Sequence, residues 1–142
     1  MVGQVTEVDK DTFWPLVNAA GDKTVVLDMY TQWCGPCKVI APKYQALSEK
    51  YLDVVFLKLD CNQANKPLAK ELGIKVVPTF KILKHSKVVK EVTGAKFDDL
   101  LCAIDTVRTN DISYRVNRSC VKISNMVIAC RMTLGRSIFS IY

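Results

Sequence analysis

The chain has 142 residues, of which 49% are hydrophobic and 24% charged, and its formal net charge is +6. These proportions are those of a globular protein and exclude a disordered or collagen-like chain, and the length predicts one core domain. The uninterrupted apolar runs are far shorter than the roughly 18 residues of a membrane helix, so we predict no membrane span. The N-terminal stretch lacks a basic start with an apolar block and is too acidic for a transit peptide, so we expect no targeting segment in this chain.

The positive charge is distributed unevenly. Residues 1–108 carry 15 basic and 13 acidic side chains, whereas residues 109–142 carry five and one. The basic residues of the last segment accompany no aromatic platform or known binding module, so we predict no nucleic acid partner. The last segment also lacks a clear helical period. We therefore predict a domain over residues 1–108 and a C-terminal extension of unknown structure over residues 109–142.

Strands and helices alternate in the first half of the chain. Asp11 and Thr12 are predicted to cap the first helix. The run from Thr24 to Tyr30 is apolar and β-branched except for Asp28, as in a strand that is covered on both faces. In chain order we predict a strand, a helix, a strand, a helix, a strand and a helix over residues 5–8, 11–20, 24–30, 38–51, 54–59 and 66–72.

The second half has a different rhythm. Residues 79–83 and 88–92 are β-prone and are separated only by a short polar connection, which predicts an antiparallel hairpin. Gly94 ends the second of these strands, and residues 96–108 have the spacing of an amphipathic helix. A β-α-β unit followed by a hairpin predicts an α/β fold with a mixed sheet.

Two cysteines carry the clearest chemical signal. Cys34 and Cys37 are separated by two residues at a transition from strand to helix, which places the first thiol at a helix N-terminus that favours the thiolate. Cys34 is therefore the predicted nucleophile, and Cys37, one turn further, is the predicted resolving thiol. Gly35 is expected to let the backbone turn without a side chain in the way, and Pro36 to fix φ where the helix begins.

Asp28 is the anomalous residue of its strand. An unpaired buried carboxylate is costly, so we expect a raised pKa and a role as general acid and base for Cys37. A partly solvated aspartate at a strand end is the alternative. Lys58, on the neighbouring strand, is a candidate partner that tunes this pKa, or else an ordinary surface lysine.

Proline precedes the hairpin. Val77 and Pro78 lie just before a strand, where cis X-Pro bonds occur in tight turns, and such a turn could lie beside the thiols. The sequence leaves the isomer open.

These motifs together resemble the thioredoxin family over about residues 5–108. The resemblance implies a thioredoxin fold, with a central mixed five-stranded sheet flanked by four helices. It implies that Asp28 is the buried acid and that Pro78 is a cis-proline facing a redox-active disulfide between Cys34 and Cys37. It also implies a surface that docks substrates, formed by Trp33, Gly35, Pro36, Val77 and Gly94 with the cis-proline.

The resemblance is greatest to chloroplast f-type thioredoxins, through the segments 60–63 and 75–81 and the lysine-rich surroundings. It implies a monomeric protein-disulfide reductase of the chloroplast stroma that needs no bound cofactor. Ferredoxin-thioredoxin reductase would be its electron donor, and target enzymes such as fructose-1,6-bisphosphatase its substrates. Cys61 would be an accessory regulatory thiol open to glutathionylation.

Other interpretations of the cysteines remain. Cys34 and Cys37 could form a structural disulfide or half of a zinc site, but no second Cys-x-x-Cys or histidine pair completes four ligands. Cys61 could be a small buried hydrophobe, and Cys102 is expected to fill core space. A redox-independent binding module or holdase that uses the same docking surface is the alternative function.

Overall fold

A computed structural model describes residues 3–109, and the predicted extension, apart from Thr109, lies outside the described residues together with Cys120 and Cys130. Five strands and four helices form the domain, which confirms the predicted fold. Within residues 3–109, no helix is long and apolar enough to cross a membrane. The elements are β1 (Val5–Val8), α1 (Phe13–Ala19), β2 (Thr24–Tyr30), α2 (Gly35–Lys50), β3 (Val54–Asp60), α3 (Lys66–Glu71), β4 (Thr79–Lys84), β5 (Lys87–Thr93) and α4 (Phe97–Thr109).

The sheet has the strand order β1-β3-β2-β4-β5. The pairs β1/β3 and β2/β3 are parallel, whereas β2/β4 and β4/β5 are antiparallel. β2 therefore lies in the middle of a mixed sheet, and its first six residues are all buried. This position explains why its sequence is an apolar run rather than an alternating one.

Each face of the sheet packs against its own layer of helices. On one face, Val26 and Phe80 belong to a core that includes residues of α2 and α4. On the other face, Leu27 and Leu57 belong to a core with residues of α1 and α3. Because side chains alternate along a strand, Asp28 shares the face of Val26 and points toward the α2 layer.

The start of α1 differs from the prediction. Thr12 is the N-cap residue, but its side chain makes no capping hydrogen bond. The carboxylate of Asp9 instead accepts hydrogen bonds from the backbone N–H groups of Asp11 and Thr12 at 2.9 and 2.8 Å. These contacts lower the pKa of Asp9. The side chain that accepts hydrogen bonds at the start of α1 is thus that of Asp9, three residues before the N-cap residue.

The hairpin between β4 and β5 turns at His85 and Ser86, which confirms the predicted antiparallel pairing. Both residues have positive φ angles, 51° and 60°. Two consecutive residues of this kind form the turn whose twist matches that of the strands, although glycine and asparagine are its usual residues. The Ser86 hydroxyl donates a 2.8 Å hydrogen bond to the side-chain oxygen of Asn18, which attaches the turn to the end of α1.

Candidate active site

Cys34 and Cys37 form a disulfide at the N-terminus of α2, with their Cα atoms 5.3 Å apart. Cys34 is the N-cap residue, and its Sγ accepts a hydrogen bond from the backbone N–H of Cys37 at 3.2 Å. Cys37 is 4% exposed, whereas Cys34 is half-buried. Cys34 is therefore the more accessible residue of the pair.

Gly35 and Pro36, the two residues between the cysteines, begin α2. Pro36 lies in the first turn of α2, as expected. At Gly35, however, an added Cβ would meet no atom within 4 Å in the described part of the chain, and φ is not left-handed. The position of Gly35 therefore faces open space, and within residues 3–109 the structure shows no steric conflict that a side chain would make there.

The segment before β4 contains the predicted proline turn. The Val77–Pro78 peptide bond is cis, which answers the question that the sequence left open. The backbone N–H of Gly94 donates a 2.8 Å hydrogen bond to the carbonyl of Pro78. Gly94 has a φ of 85°, a conformation that glycine adopts without strain. This bond keeps the end of β5 beside the proline turn.

The apolar residues near these segments are unusually exposed. Trp33 is 91% exposed, and Val39 of α2 is 70% exposed. Val76, next to the proline turn, is 52% exposed, whereas Val77 is half-buried. Exposed large apolar side chains of this kind are typical of a surface that contacts other proteins.

Asp28 is buried as expected, with 5% of its surface exposed. Its Oδ1 atom is enclosed and has no hydrogen-bond partner in the structure. Burial raises the pKa of Asp28 to about 7, against a smaller opposing effect of the Lys58 charge. Near neutral pH this carboxyl can therefore either hold or accept a proton.

Lys58 lies opposite Asp28 in the β2/β3 register. Its ammonium group, however, pairs with the Glu7 carboxylate, with Nζ 3.3 Å from Oε2. The Tyr30 hydroxyl donates a hydrogen bond to the other oxygen of Glu7, also at 3.3 Å. Lys58 thus acts on Asp28 through its charge while its direct contact is with β1.

A groove of about 410 Å³ runs beside Trp33 at the ends of β2 and β3, and Cys61 lies in its wall. The Cys61 thiol is half-buried, and burial raises its pKa to about 11. The amide of Gln32 donates a 3.2 Å hydrogen bond to the buried carboxylate of Asp60. This bond connects the loop that carries Trp33 to the end of β3.

Two features of the site did not emerge from the sequence. Glu7 carried no signal, because a glutamate in a short edge strand is most often an exposed residue. Only the strand register shows that it lies opposite Lys58. The bond between Gln32 and Asp60 joins residues 28 positions apart, a separation at which no local pattern operates.

Metal binding has no support in the described residues. Within residues 3–109, no three or more histidine, cysteine, aspartate or glutamate side chains are grouped so that they could hold a metal ion. The zinc interpretation of Cys34 and Cys37 therefore gains nothing from their surroundings.

Comparison with known proteins matches the family model named Thioredoxin to residues 4–106. The chain is 84% identical over 109 residues to "Thioredoxin F-type, chloroplastic" of Pisum sativum, which covers 77% of this chain and 60% of the pea protein. It is 83% identical over 108 residues to "Thioredoxin F2, chloroplastic" of Arabidopsis thaliana, which covers 76% of this chain and 58% of that protein. The chain thus spans less than two thirds of the length of these two relatives.

Solved structures of thioredoxins also match this chain. Thioredoxin f from spinach chloroplast, in its short form, is 76% identical with a TM-score of 0.74, covering 75% of this chain and 96% of that one. The family match includes both cysteines, the buried aspartate and the proline turn described above. The chain belongs to the thioredoxin family.

Proposed function

We propose that this protein is a protein-disulfide reductase, and that Cys34 and Cys37 carry the two electrons. The observation that carries the proposal is the asymmetry of the disulfide. Cys34 is half-buried at a helix N-terminus, whereas Cys37 is 4% exposed behind it. One accessible and one protected sulfur are the arrangement that sequential thiol-disulfide exchange needs.

The exchange proceeds in two steps. In the reduced protein, the Cys34 thiolate attacks one sulfur of a target disulfide, forming a mixed disulfide and releasing the first target sulfur as a thiolate. Cys37 then loses its proton and attacks the Cys34 sulfur, which forms the Cys34–Cys37 disulfide and releases the second target sulfur. The target disulfide has gained two electrons, and the protein dithiol has lost them.

Asp28 is proposed as the proton acceptor for Cys37. With a pKa of about 7, its carboxyl is partly ionised at neutral pH and can take the thiol proton. Lys58 is proposed to tune this pKa, since its charge is the one that opposes the effect of burial.

The docking surface is proposed to comprise Trp33, Gly35, Pro36, Val77, Pro78 and Gly94. Trp33 supplies an exposed aromatic face, and the open space at Gly35 lets a target chain approach the disulfide. A polypeptide that carries a disulfide would lie between the loop of Trp33 and the proline turn.

The electron donor is proposed to be ferredoxin-thioredoxin reductase. A solved complex is titled "Crystal structure of ferredoxin: thioredoxin reductase and thioredoxin f2 complex", and its matched chain is 83% identical to this one with a TM-score of 0.74, covering 75% of this chain and 97% of that one. The relatives named chloroplastic support a place in the chloroplast, and we propose the stroma.

We further propose that the protein acts as a monomer, without a bound cofactor, on regulatory disulfides of enzymes such as fructose-1,6-bisphosphatase. Cys61 is proposed as an accessory regulatory thiol. Because its pKa is about 11, we expect it to react slowly and not to replace Cys34 as nucleophile.

Single-turnover reduction of a bisphosphatase disulfide tests the proposal with three variants under one reductant. Cys34→Ser should abolish reduction. Cys37→Ser should stop at a mixed disulfide that survives on a non-reducing gel. Cys61→Ser is the matched control, since it removes a thiol outside the pair, and should retain most of the rate.

Undiminished reduction by both Cys34→Ser and Cys37→Ser would contradict the proposed chemistry. If the variants still bind the target or suppress aggregation of an unfolded client, the redox-independent binding module becomes the better interpretation.

A further inference from the structure

Glu7 occupies a defined place in the row of side chains that crosses the sheet through Asp28. In register, Glu7 of β1 lies opposite Lys58 of β3, which lies opposite Asp28 of β2. The row continues to Phe80 of β4, which is fully buried. Asp28 therefore has an apolar neighbour on one side and a cation on the other.

Two contacts determine where the Glu7 carboxylate lies. One oxygen is 3.3 Å from the Lys58 ammonium, and the other accepts a hydrogen bond from the Tyr30 hydroxyl, also at 3.3 Å. The Lys58 ammonium in addition lies 6.0 Å from the centre of the Tyr30 ring. Glu7 thus holds the Lys58 ammonium in an ion pair with the edge strand β1, beside the ring of Tyr30.

We propose that Glu7 is a positioning residue for disulfide exchange, which holds the Lys58 ammonium toward β1 and so limits how strongly that charge stabilises the Asp28 carboxylate. The inference rests on the proposed role of Asp28 as proton acceptor. Without Glu7, the lysine would be free to turn toward the enclosed carboxyl, whose Oδ1 has no hydrogen-bond partner. The carboxyl would then lose its proton at lower pH.

The other groups around Asp28 do not titrate near neutral pH. From α2 the charge of Asp28 acts on Tyr44, whose pKa burial raises well above the ordinary value. Cys37, also of α2, is in the disulfide and does not titrate. Tyr30 of β2 has a pKa raised by burial to about 12, and Cys61, after β3, one raised to about 11. β4 contributes the apolar Phe80. Lys58, positioned by Glu7, is therefore the charged group near Asp28 whose position can vary.

The experiment measures the titration of the Asp28 carboxyl directly. The carboxyl carbon of Asp28 is titrated by NMR in the full oxidised chain, for the wild type, Glu7→Gln, Lys58→Met and the double variant. Glu7→Gln should move the titration midpoint to lower pH by about half a pH unit, the size of an exposed ion-pair effect, and Lys58→Met should move it to higher pH. Glu71→Gln, an exposed glutamate at the end of α3, is the matched control and should leave the midpoint unchanged.

The double variant separates positioning from plain charge removal. If Glu7 acts through Lys58, then Glu7→Gln should have less than half its effect when Lys58 is already methionine. An equal shift in both backgrounds, no shift, or a shift to higher pH would overturn the inference.

The rate of disulfide reduction provides the second readout. The acid limb of its pH profile should move with the midpoint in Glu7→Gln, because a more acidic Asp28 carboxyl becomes available as a base at lower pH. A wild type that does not reduce disulfides would refute the proposed function. An active wild type with an unmoved midpoint in Glu7→Gln would refute only the role of Glu7.

Discussion

Replacing Asp28 by asparagine should stabilise the folded protein at neutral pH while impairing its chemistry. The carboxyl is 5% exposed, and its Oδ1 has no hydrogen-bond partner among residues 3–109. Burial raises its pKa from 3.8 to about 7. A charge at this position therefore opposes folding, and asparagine, which has a similar shape, removes the charge.

The pH dependence follows from the two pKa values. Below pH 3.8 the carboxyl is protonated in both the folded and the unfolded chain, so ionisation costs no stability. Between pH 3.8 and about 7 only the unfolded chain ionises, and wild-type stability falls as pH rises. Above pH 7 the loss is complete. At 1.36 kcal/mol per pH unit it amounts to about 4 kcal/mol.

Urea unfolding of the oxidised protein from pH 4 to pH 8.5 measures this effect. The difference in unfolding free energy between Asp28→Asn and the wild type should grow by about 4 kcal/mol over that range and then become constant. Asp99→Asn, an exposed carboxyl in the first turn of α4, is the matched control and should change stability by less than about 1 kcal/mol at every pH. A difference between Asp28→Asn and the wild type that does not depend on pH would refute the reasoning.

Three further expectations concern the core and the accessory thiol. Tyr44→Phe should lower the free energy of unfolding by about 1–2 kcal/mol, because the buried hydroxyl shares its one hydrogen between the carbonyls of Val26 and Leu57, at 2.9 and 2.8 Å. Unchanged urea midpoints would contradict this. Leu100→Ala should lower the free energy of unfolding by about 2–5 kcal/mol in the same assay, since Leu100 is fully buried between α4 and the sheet. A loss below about 1 kcal/mol would mean that neighbouring side chains fill the space left by the leucine. Cys61 should react with iodoacetamide at pH 8 about 100-fold more slowly in the folded protein than in urea, because its pKa of about 11 lies two pH units above that of a free thiol. Peptide mass analysis measures both rates, and equal rates would show that the thiol is open to solvent.

The position of Cys34 and Cys37 at the start of a helix was predictable because its signal is local. The spacing of Cys34 and Cys37 at a transition from strand to helix is a property of a few consecutive residues, and α2 does begin there. The burial of Asp28 was also predictable, since an aspartate within an otherwise apolar β-branched run must lie in a covered strand. The order of the elements followed from hydrophobic periods that are strong in each segment.

Two details at the helix starts were not predicted from local patterns, because they depend on the backbone geometry and on the surrounding atoms. The acceptor at the start of α1 is Asp9 and not the predicted pair, because the geometry of the turn selects among several neighbouring polar residues. Only the surrounding atoms show that the position of Gly35 faces open space.

The sequence by itself thus predicted the cysteine pair at a helix start and the α/β architecture, since both are specified by residue types at short spacings. The tertiary structure alone decided which charges act on Asp28. Lys58 lies opposite Asp28 only because β2 pairs with β3, and the pKa of a buried carboxyl depends on that three-dimensional arrangement of charge and solvent.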